Sequence, residues 1–340
     1  MFVFISDFAK RILSCPLCKS EIKECHQQYK CFQCGIAFPK IEIPIGSDMQ
    51  NITYDFRLHR PDYSKNDFYE KWEATDDQFK KLHTDSVQKD NYEEYLAEID
   101  SVKEIYTNEF HLSGSVLDVG GHQGRLRHYL SKAVEFYVSI DPFAAIFDNI
   151  ALQKNLLKAY PSLITPCNFF AAHAETLPFK ANTFDWIHMR SVIDHFYDPY
   201  IALLEAFRCA KPGGNLLIGL AIMEKYYATQ VIATEPPLEA PEKPAGLKGV
   251  LKKCFGKKNV AFLWAVKNGF IESYFSPIFS NTEAPECTNT APAHDGHMFH
   301  FGHKQLHELC SKAGWRLVKE HWQKEPFSFC LYAHYTVDKG

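Results

Sequence analysis

The chain has 340 residues, 46% of them hydrophobic and 23% charged, with a formal net charge of −4. That size suits one large domain with a small accessory one, and the composition is that of an ordinary globular protein. The weak negative charge excludes a global attraction to nucleic acid or anionic membrane, and no apolar run approaches the ~18 residues a membrane span needs.

The opening MFVFISDFAKRIL is too short for a signal peptide and has its acid and bases in the wrong places. Eleven cysteines, four in CxxC pairs and the rest scattered, fit a reducing compartment, so a cytoplasmic location is expected. Within residues 1–50, Cys15-Pro-Leu-Cys18 and Cys31-Phe-Gln-Cys34 form two knuckles with twelve residues between them. Four thiolates at that spacing can converge tetrahedrally on one Zn²⁺, so a zinc ribbon is expected here. Four sulfurs complete the coordination and leave no open position, which makes the metal structural rather than catalytic. Cys25 and His26, in the loop between the knuckles, are spare.

Residues 51–110 read as a helical linker or cap. Tyr92, Tyr95, Leu96, Ile99, Val102 and Ile105 recur at i, i+3, i+4 and i+7, the stripe of an amphipathic helix. From 111 to 340 strands and helices alternate. Ser115–Gly120, Glu135–Asp141 and Phe184–Met189 are predicted strands. Leu126–Ala133 and Ile201–Ala210 are predicted helices, and a Lys-Pro-Gly-Gly turn at 211–214 leads into the strand NLLIGLAI. Such alternation specifies an α/β fold with a parallel sheet.

The rhythm breaks at about 223–300, where a Pro-rich, a basic and an aromatic stretch follow one another. An interruption of this length is expected to be a lid-like insertion. Its aromatic stretch, 262–279, could be its own core or a homodimer contact. The fold resumes with a helix over Lys304–Ala313 and a closing pair of strands, WRLVKEHW and FSFCLYAHYTV.

Val116-Leu-Asp118-Val-Gly120-Gly121-His122-Gln-Gly124-Arg125 puts a Gly-rich loop directly after a strand, where backbone can approach a ligand closely. It is not the nicotinamide fingerprint, because His122 and Arg125 stand where that pattern requires glycine. Asp141 ends the next strand, a place from which a carboxylate can accept from both hydroxyls of a ribose. Further along come His-Ala174-Glu175-Thr-Leu-Pro-Phe, Phe-Asp-Trp-Ile and Lys-Pro-Gly-Gly.

In this order the motifs resemble the class I S-adenosylmethionine-dependent methyltransferases, over roughly residues 90–220 and the last 45. The end of the cysteine segment, CFQCGIAFPKIEIPI, likewise resembles the short zinc ribbons that precede many bacterial methyltransferase domains. The resemblance implies a Rossmann-like seven-stranded methyltransferase sheet and S-adenosylmethionine as cofactor. It implies that Asp118, Gly120 and Gly124 shape the loop around the methionine moiety, and that Asp141 holds the ribose. Pro142 or Phe143 would border the adenine, Ala174 and Glu175 would flank it, and Arg190 and Ser191 would face the methionine end. His122 departs from the family, which has a glycine there; its side chain must turn outward or the cofactor must sit farther off.

For a hydroxyl acceptor a general base helps, and His is the commonest choice. His195, in Ile-Asp-His-Phe after the fourth strand, is one candidate. His294, His297, His300 and His303, packed into ten residues, supply others, with His297 and His300 expected to line an acceptor pocket. With Asp295 the same cluster could hold a cation. The expected activity is O-methylation of a small polar, sugar or glycan-type acceptor. RNA is the rival acceptor, disfavoured because Glu21 and Glu24 offset Lys19, Lys23, Lys30 and Lys40 on the ribbon. A binding module without catalysis is the third reading.

Overall fold

The computed structural model describes residues 2–45, 49–57, 81, 90–147, 150–222, 299, 301–323 and 330–337. The basic and aromatic stretches of the insertion, together with His294, His297 and His300, lie outside the described residues.

Ser6 opens a short helix α1 (Asp7–Arg11) by accepting from the Ala9 N–H at 3.2 Å. Four antiparallel strands follow, β1 (Ile22–Cys25), β2 (Gln28–Cys31), β3 (Ala37–Ile45) and β4 (Met49–Tyr54), paired in chain order. The amphipathic stripe then forms α2 (Tyr92–Glu104), capped by the Asn91 side chain and burying Ile99 and Val102. A π turn over Ile105–Glu109 ends it and turns Tyr106 into the core.

The alternating part yields β5 (Gly114–Val119), β6 (Val134–Asp141), α3 (Lys154–Ala159), β7 (Asn168–Ala171), β8 (Phe184–Arg190), α4 (Pro199–Cys209), β9 (Ala210–Ala221), α5 (His303–Lys312), β10 (Trp315–Trp322) and β11 (Cys330–Val337). They form a seven-stranded sheet in the order β10-β11-β9-β8-β5-β6-β7. From β7 to β9 every pairing is parallel, while β11 runs antiparallel between β9 and β10. This is the expected Rossmann-like sheet. The chain leaves β5 toward β6 and β7, then returns to β8 on the other side of β5, so the strand order reverses there. In an open α/β sheet the ligand crevice lies at that reversal, outside the carboxyl ends of the strands.

Two local expectations need correction. No α-helix forms over 126–133; the chain makes a 3-10 turn at Arg125–His128 instead. Its polar side chains are drawn into tertiary bonds: Arg125 reaches Glu98, and Arg127 reaches the carbonyls of Gly124 and Thr165. These contacts override helix propensity. The Lys-Pro-Gly-Gly turn, in turn, sits within β9 as a bulge. Phe184 pairs with Ala210 and Trp186 with Asn215, so the four intervening residues are looped out, with Gly213 at φ +70°.

The cysteine-bearing strands form their own sheet, which packs against the edge of the main one, and position 50, the expected boundary, falls inside β4. Backbone bridges join Val3 to Cys167, Leu13 to Phe179 and Asp55 to Ala171. The Thr53 hydroxyl donates to the Phe169 carbonyl. An aromatic series runs through the joint, from Phe38 to Phe56 (5.0 Å between centroids) and on to Phe170 (5.7 Å). The segment thereby covers β7, an edge strand that would otherwise present unpaired backbone groups.

Candidate functional site

The crevice at the reversal point is a real cleft. It is partly open to solvent and lined mainly by apolar surface. Its walls come from the residues that follow four successive parallel strands: the glycine loop after β5, Asp141-Pro142-Phe143 after β6, Ala172–Glu175 after β7 and Ser191–Phe196 after β8.

The loop is shaped by crowding. Gly120 has φ +65°, and a Cβ on it would collide with Val192. A Cβ on Gly121 would lie 2.5 Å from Ser139 Oγ and 2.6 Å from Asp118 Oδ2, so the doublet at 120–121 has no room for a side chain. His122 adopts φ +51°, the left-handed region, with its side chain on the cleft wall and Nδ1 2.6 Å from Gln123 Oε1. It thus keeps the backbone shape that a glycine would take, yet brings an imidazole into the cleft.

Asp141, 5% exposed, stands at the carboxyl end of β6, where its Oδ1 accepts from the Phe143 N–H at 2.9 Å. Glu175 lies in a 3-10 turn and accepts from the Asp198 N–H at 3.1 Å. Burial pushes its carboxyl up to about 7. Asp198 in turn caps α4, accepting from the N–H groups of Tyr200 and Ile201. His195 is on the cleft wall in a 3-10 turn, its Nε2 4.0 Å from Asp194 Oδ1.

The cleft therefore gathers Gly120, His122, Asp141, Pro142, Phe143, Ala174, Glu175, Ser191 and His195 of the residues singled out in the sequence, and leaves three of the described ones aside. Asp118 faces the interior. One carboxylate oxygen accepts from Tyr137 Oη at 2.5 Å and the other is 2.7 Å from His188 Nδ1, whose Nε2 is 2.8 Å from Tyr106 Oη. It supports the loop from behind through Gly121. Gly124 is buried beneath the loop, against Arg127 and Tyr137. Arg190 pairs with Glu98 on α2, 3.4 Å away, next to the Arg125–Glu98 pair at 3.1 Å. Burial raises the Glu98 carboxyl, but the two guanidiniums outweigh it and hold the group below its ordinary value. His297 and His300 lie outside the described residues.

Sequence reasoning passed over Gly121, His173, Val192 and Phe196, which help to form the cleft or its loop. The first two carried a signal: a Gly-Gly doublet at a strand end, and a residue directly ahead of Ala-Glu after β7.

At the N-terminus the four cysteines converge. Cys15 Sγ is 3.6 Å from Cys34 Sγ, Cys18 Sγ is 3.4 Å from Cys31 Sγ, and all four sulfurs lie within 4.8 Å of one another. Tetrahedral Zn–S bonds of ~2.3 Å separate sulfurs by about 3.8 Å, while a disulfide would bring them to ~2.05 Å. The cluster fits a metal and not a pair of disulfides. Hydrogen bonds from the Ser20 side chain and backbone pull the Cys18 thiol down to about 6, whereas burial pushes the Cys15 thiol up to about 12, so it is the convergence of the four sulfurs and not their acidity that points to a metal.

Comparison with known proteins agrees with the sheet. The model of the methyltransferase domain family matches residues 117–218. An uncharacterized methyltransferase of Schizosaccharomyces pombe is 35% identical over 104 residues, which are 29% of this chain and 37% of the relative's length. Among solved structures, the protein PH0226 from Pyrococcus horikoshii is 14% identical with a TM-score of 0.41, covering 72% of this chain and 91% of its own. The N-methyltransferase NodS from Bradyrhizobium japonicum, solved with S-adenosyl-L-homocysteine, is 11% identical with a TM-score of 0.38, covering 72% and 87%. Scores this low leave the fold to be read from the strand order itself. With that order, residues 117–218 form the part of the chain that matches the methyltransferase domain family, within a sheet of Rossmann-like order.

Proposed function

We propose that the protein transfers a methyl group from S-adenosylmethionine to a small polar acceptor, of sugar or glycan type, at an oxygen. The observation that supports this most is the cleft at the reversal point, where Asp141 and the glycine loop stand side by side at the ends of adjacent strands. When bound, S-adenosylmethionine supplies an electrophilic methyl group, so the protein's task is alignment and proton removal. Asp141 accepts from the ribose hydroxyls, Pro142 and Phe143 border the adenine, and Ala174 and Glu175 flank it. Gly120 and Ser191 border the methionine end. His195, across the cleft on the β8 side, takes the acceptor proton as the methyl group arrives. The four cysteines hold a structural zinc ion.

RNA is the less favoured acceptor. Of the ribbon lysines that could meet a phosphate backbone, Lys19 is committed to Glu205 at 2.5 Å. The test pairs calorimetric titration of S-adenosylhomocysteine with transfer of labelled methyl groups to a panel of isolated glycans and RNAs. Asp141→Ala should weaken cofactor binding roughly 10- to 100-fold, the loss of one or two charged hydrogen bonds. His195→Ala should leave that binding intact and slow transfer about 100-fold or more. Transfer to RNA alone would replace the glycan reading, and no binding of S-adenosylhomocysteine by a folded protein would leave a scaffold without catalysis.

A further inference from the structure

A second group of metal-type ligands lies away from both the cysteines and the cleft lining. His303 and His307, one turn apart on α5, face Glu320 on the adjacent strand β10. The Nε2 atoms of His303 and His307 lie 2.7 and 2.5 Å from the same carboxylate oxygen, Oε1. All three ligand atoms fall within 4.8 Å of one another. The two rings stand at 88° with centroids 4.5 Å apart, and both Nε2 atoms converge on Oε1 of Glu320; side-chain movement to the roughly 3.3 Å that separates tetrahedral ligands would open the place for an ion between the three atoms.

Three features favour a metal over a simple ion pair. Histidines at i and i+4 share one helix face, and two imidazoles with a carboxylate are a donor set that suits zinc and its neighbours. The other nitrogen of His307, Nδ1, is hydrogen-bonded to Tyr335 Oη at 2.8 Å. That bond orients the ring and leaves Nε2 as the nitrogen aimed at the cluster, the outer-sphere arrangement usual for a ligating histidine. Finally, Nε2 of His307 is buried and makes no hydrogen bond, because its short approach to Glu320 is off the hydrogen-bond line. A buried polar atom left this way is costly, and a cation at the convergence point satisfies it.

We propose that His303, His307 and Glu320 bind a borderline divalent cation of the Zn²⁺ type, in addition to the ion held by the cysteines. Three protein ligands leave room for water in the coordination sphere. The ion ties α5 to β10. It does so four residues past Phe299, whose N–H donates to the Asp194 carbonyl at 3.1 Å, beside His195 of the cleft. It therefore anchors the chain where it returns to the sheet.

The test uses the full chain with the cysteine-bound zinc in place. Elemental analysis after dialysis against trace Zn²⁺ should give two zinc ions per chain. His303→Gln and Glu320→Gln should each give one, and should lose the rise in Tm that added Zn²⁺ produces in the unaltered protein. His303 is the more exposed ligand, so its variant keeps the test usable if a change at His307 impairs folding. One zinc per chain in the unaltered protein, or two in both variants, would overturn the proposal. S-adenosylhomocysteine titration of the same samples should be unchanged, which separates this outcome from that of the methyl-transfer reading.

Discussion

His122 condenses the conflict between this chain and its family. Its φ of +51° costs roughly 1 kcal/mol for a residue with a Cβ, whereas a glycine adopts it freely. His122→Gly removes that strain but also frees the unfolded chain, so folding stability should change by less than about 1 kcal/mol. The cleft gains the space of an imidazole. S-adenosylhomocysteine should bind the variant at least as tightly, as calorimetry can measure; a tenfold loss would make His122 a ligand contact and not an obstacle. Glu175 has a different signature. Its carboxyl is raised to about 7 in the folded chain, from 4.5 when unperturbed. A raised value means that its contribution to stability is complete below pH 4.5 and is lost as pH climbs through 7. Glu175→Gln should therefore gain on the parent protein by about 3 kcal/mol between those limits, read from urea unfolding at pH 5 and pH 8.

Among the elements, β5 and β6 were legible as short apolar runs ended by Gly and Asp, β8 and β9 as apolar runs on either side of α4, and α2 because its stripe keeps helical spacing, while the short β7 was not legible. The missing helix after β5 was not legible: Leu126–Ala133 has helical composition, and only the distant partners of Arg125 and Arg127 unwind it. Asp141 was legible as a cleft residue because its strand end is marked in sequence, and Ala174-Glu175 through the family resemblance. Asp118 and Arg190 do not line the cleft, and this was not legible because the groups they face, His188 and Glu98, lie 70 and 92 residues distant. The joint between β4 and β7 is equally silent in sequence, since it is made of backbone bridges and stacked rings. Phe56 is its centre, wholly buried, with its N–H donating to the Ala171 carbonyl at 2.7 Å. Phe56→Ala should cost about 3–5 kcal/mol in chemical denaturation, the loss expected for a core aromatic and not for a linker.

On the scale of the whole molecule, the cysteine-bearing segment and the seven-stranded sheet share one apolar core. Cys15, Cys31 and Phe38 belong to the same apolar cluster as Leu117, Ile187 and Leu216, in the middle of the sheet. Stripping the metal with a chelator should accordingly lower the midpoint of a single calorimetric transition; two separate transitions, with the later one unmoved, would contradict this. The strand order that defines the fold could be expected only through family resemblance, because pairing between β9 and β11 spans the long insertion and no local pattern encodes it.

The seam along β7 also has a timetable. Ser6 donates its N–H to the side chain of Asn168, a residue made 162 positions later. At a synthesis rate of ~5–20 residues per second, the N-terminal strands wait on the order of 8–30 s for the edge they will cover. During that wait the hairpins have no sheet to lean on, and a metal clasp through four cysteines is the means at hand to keep them from pairing with another nascent chain. A metal held by these cysteines would matter first to the ribosome-bound protein, before there is a cleft to fill.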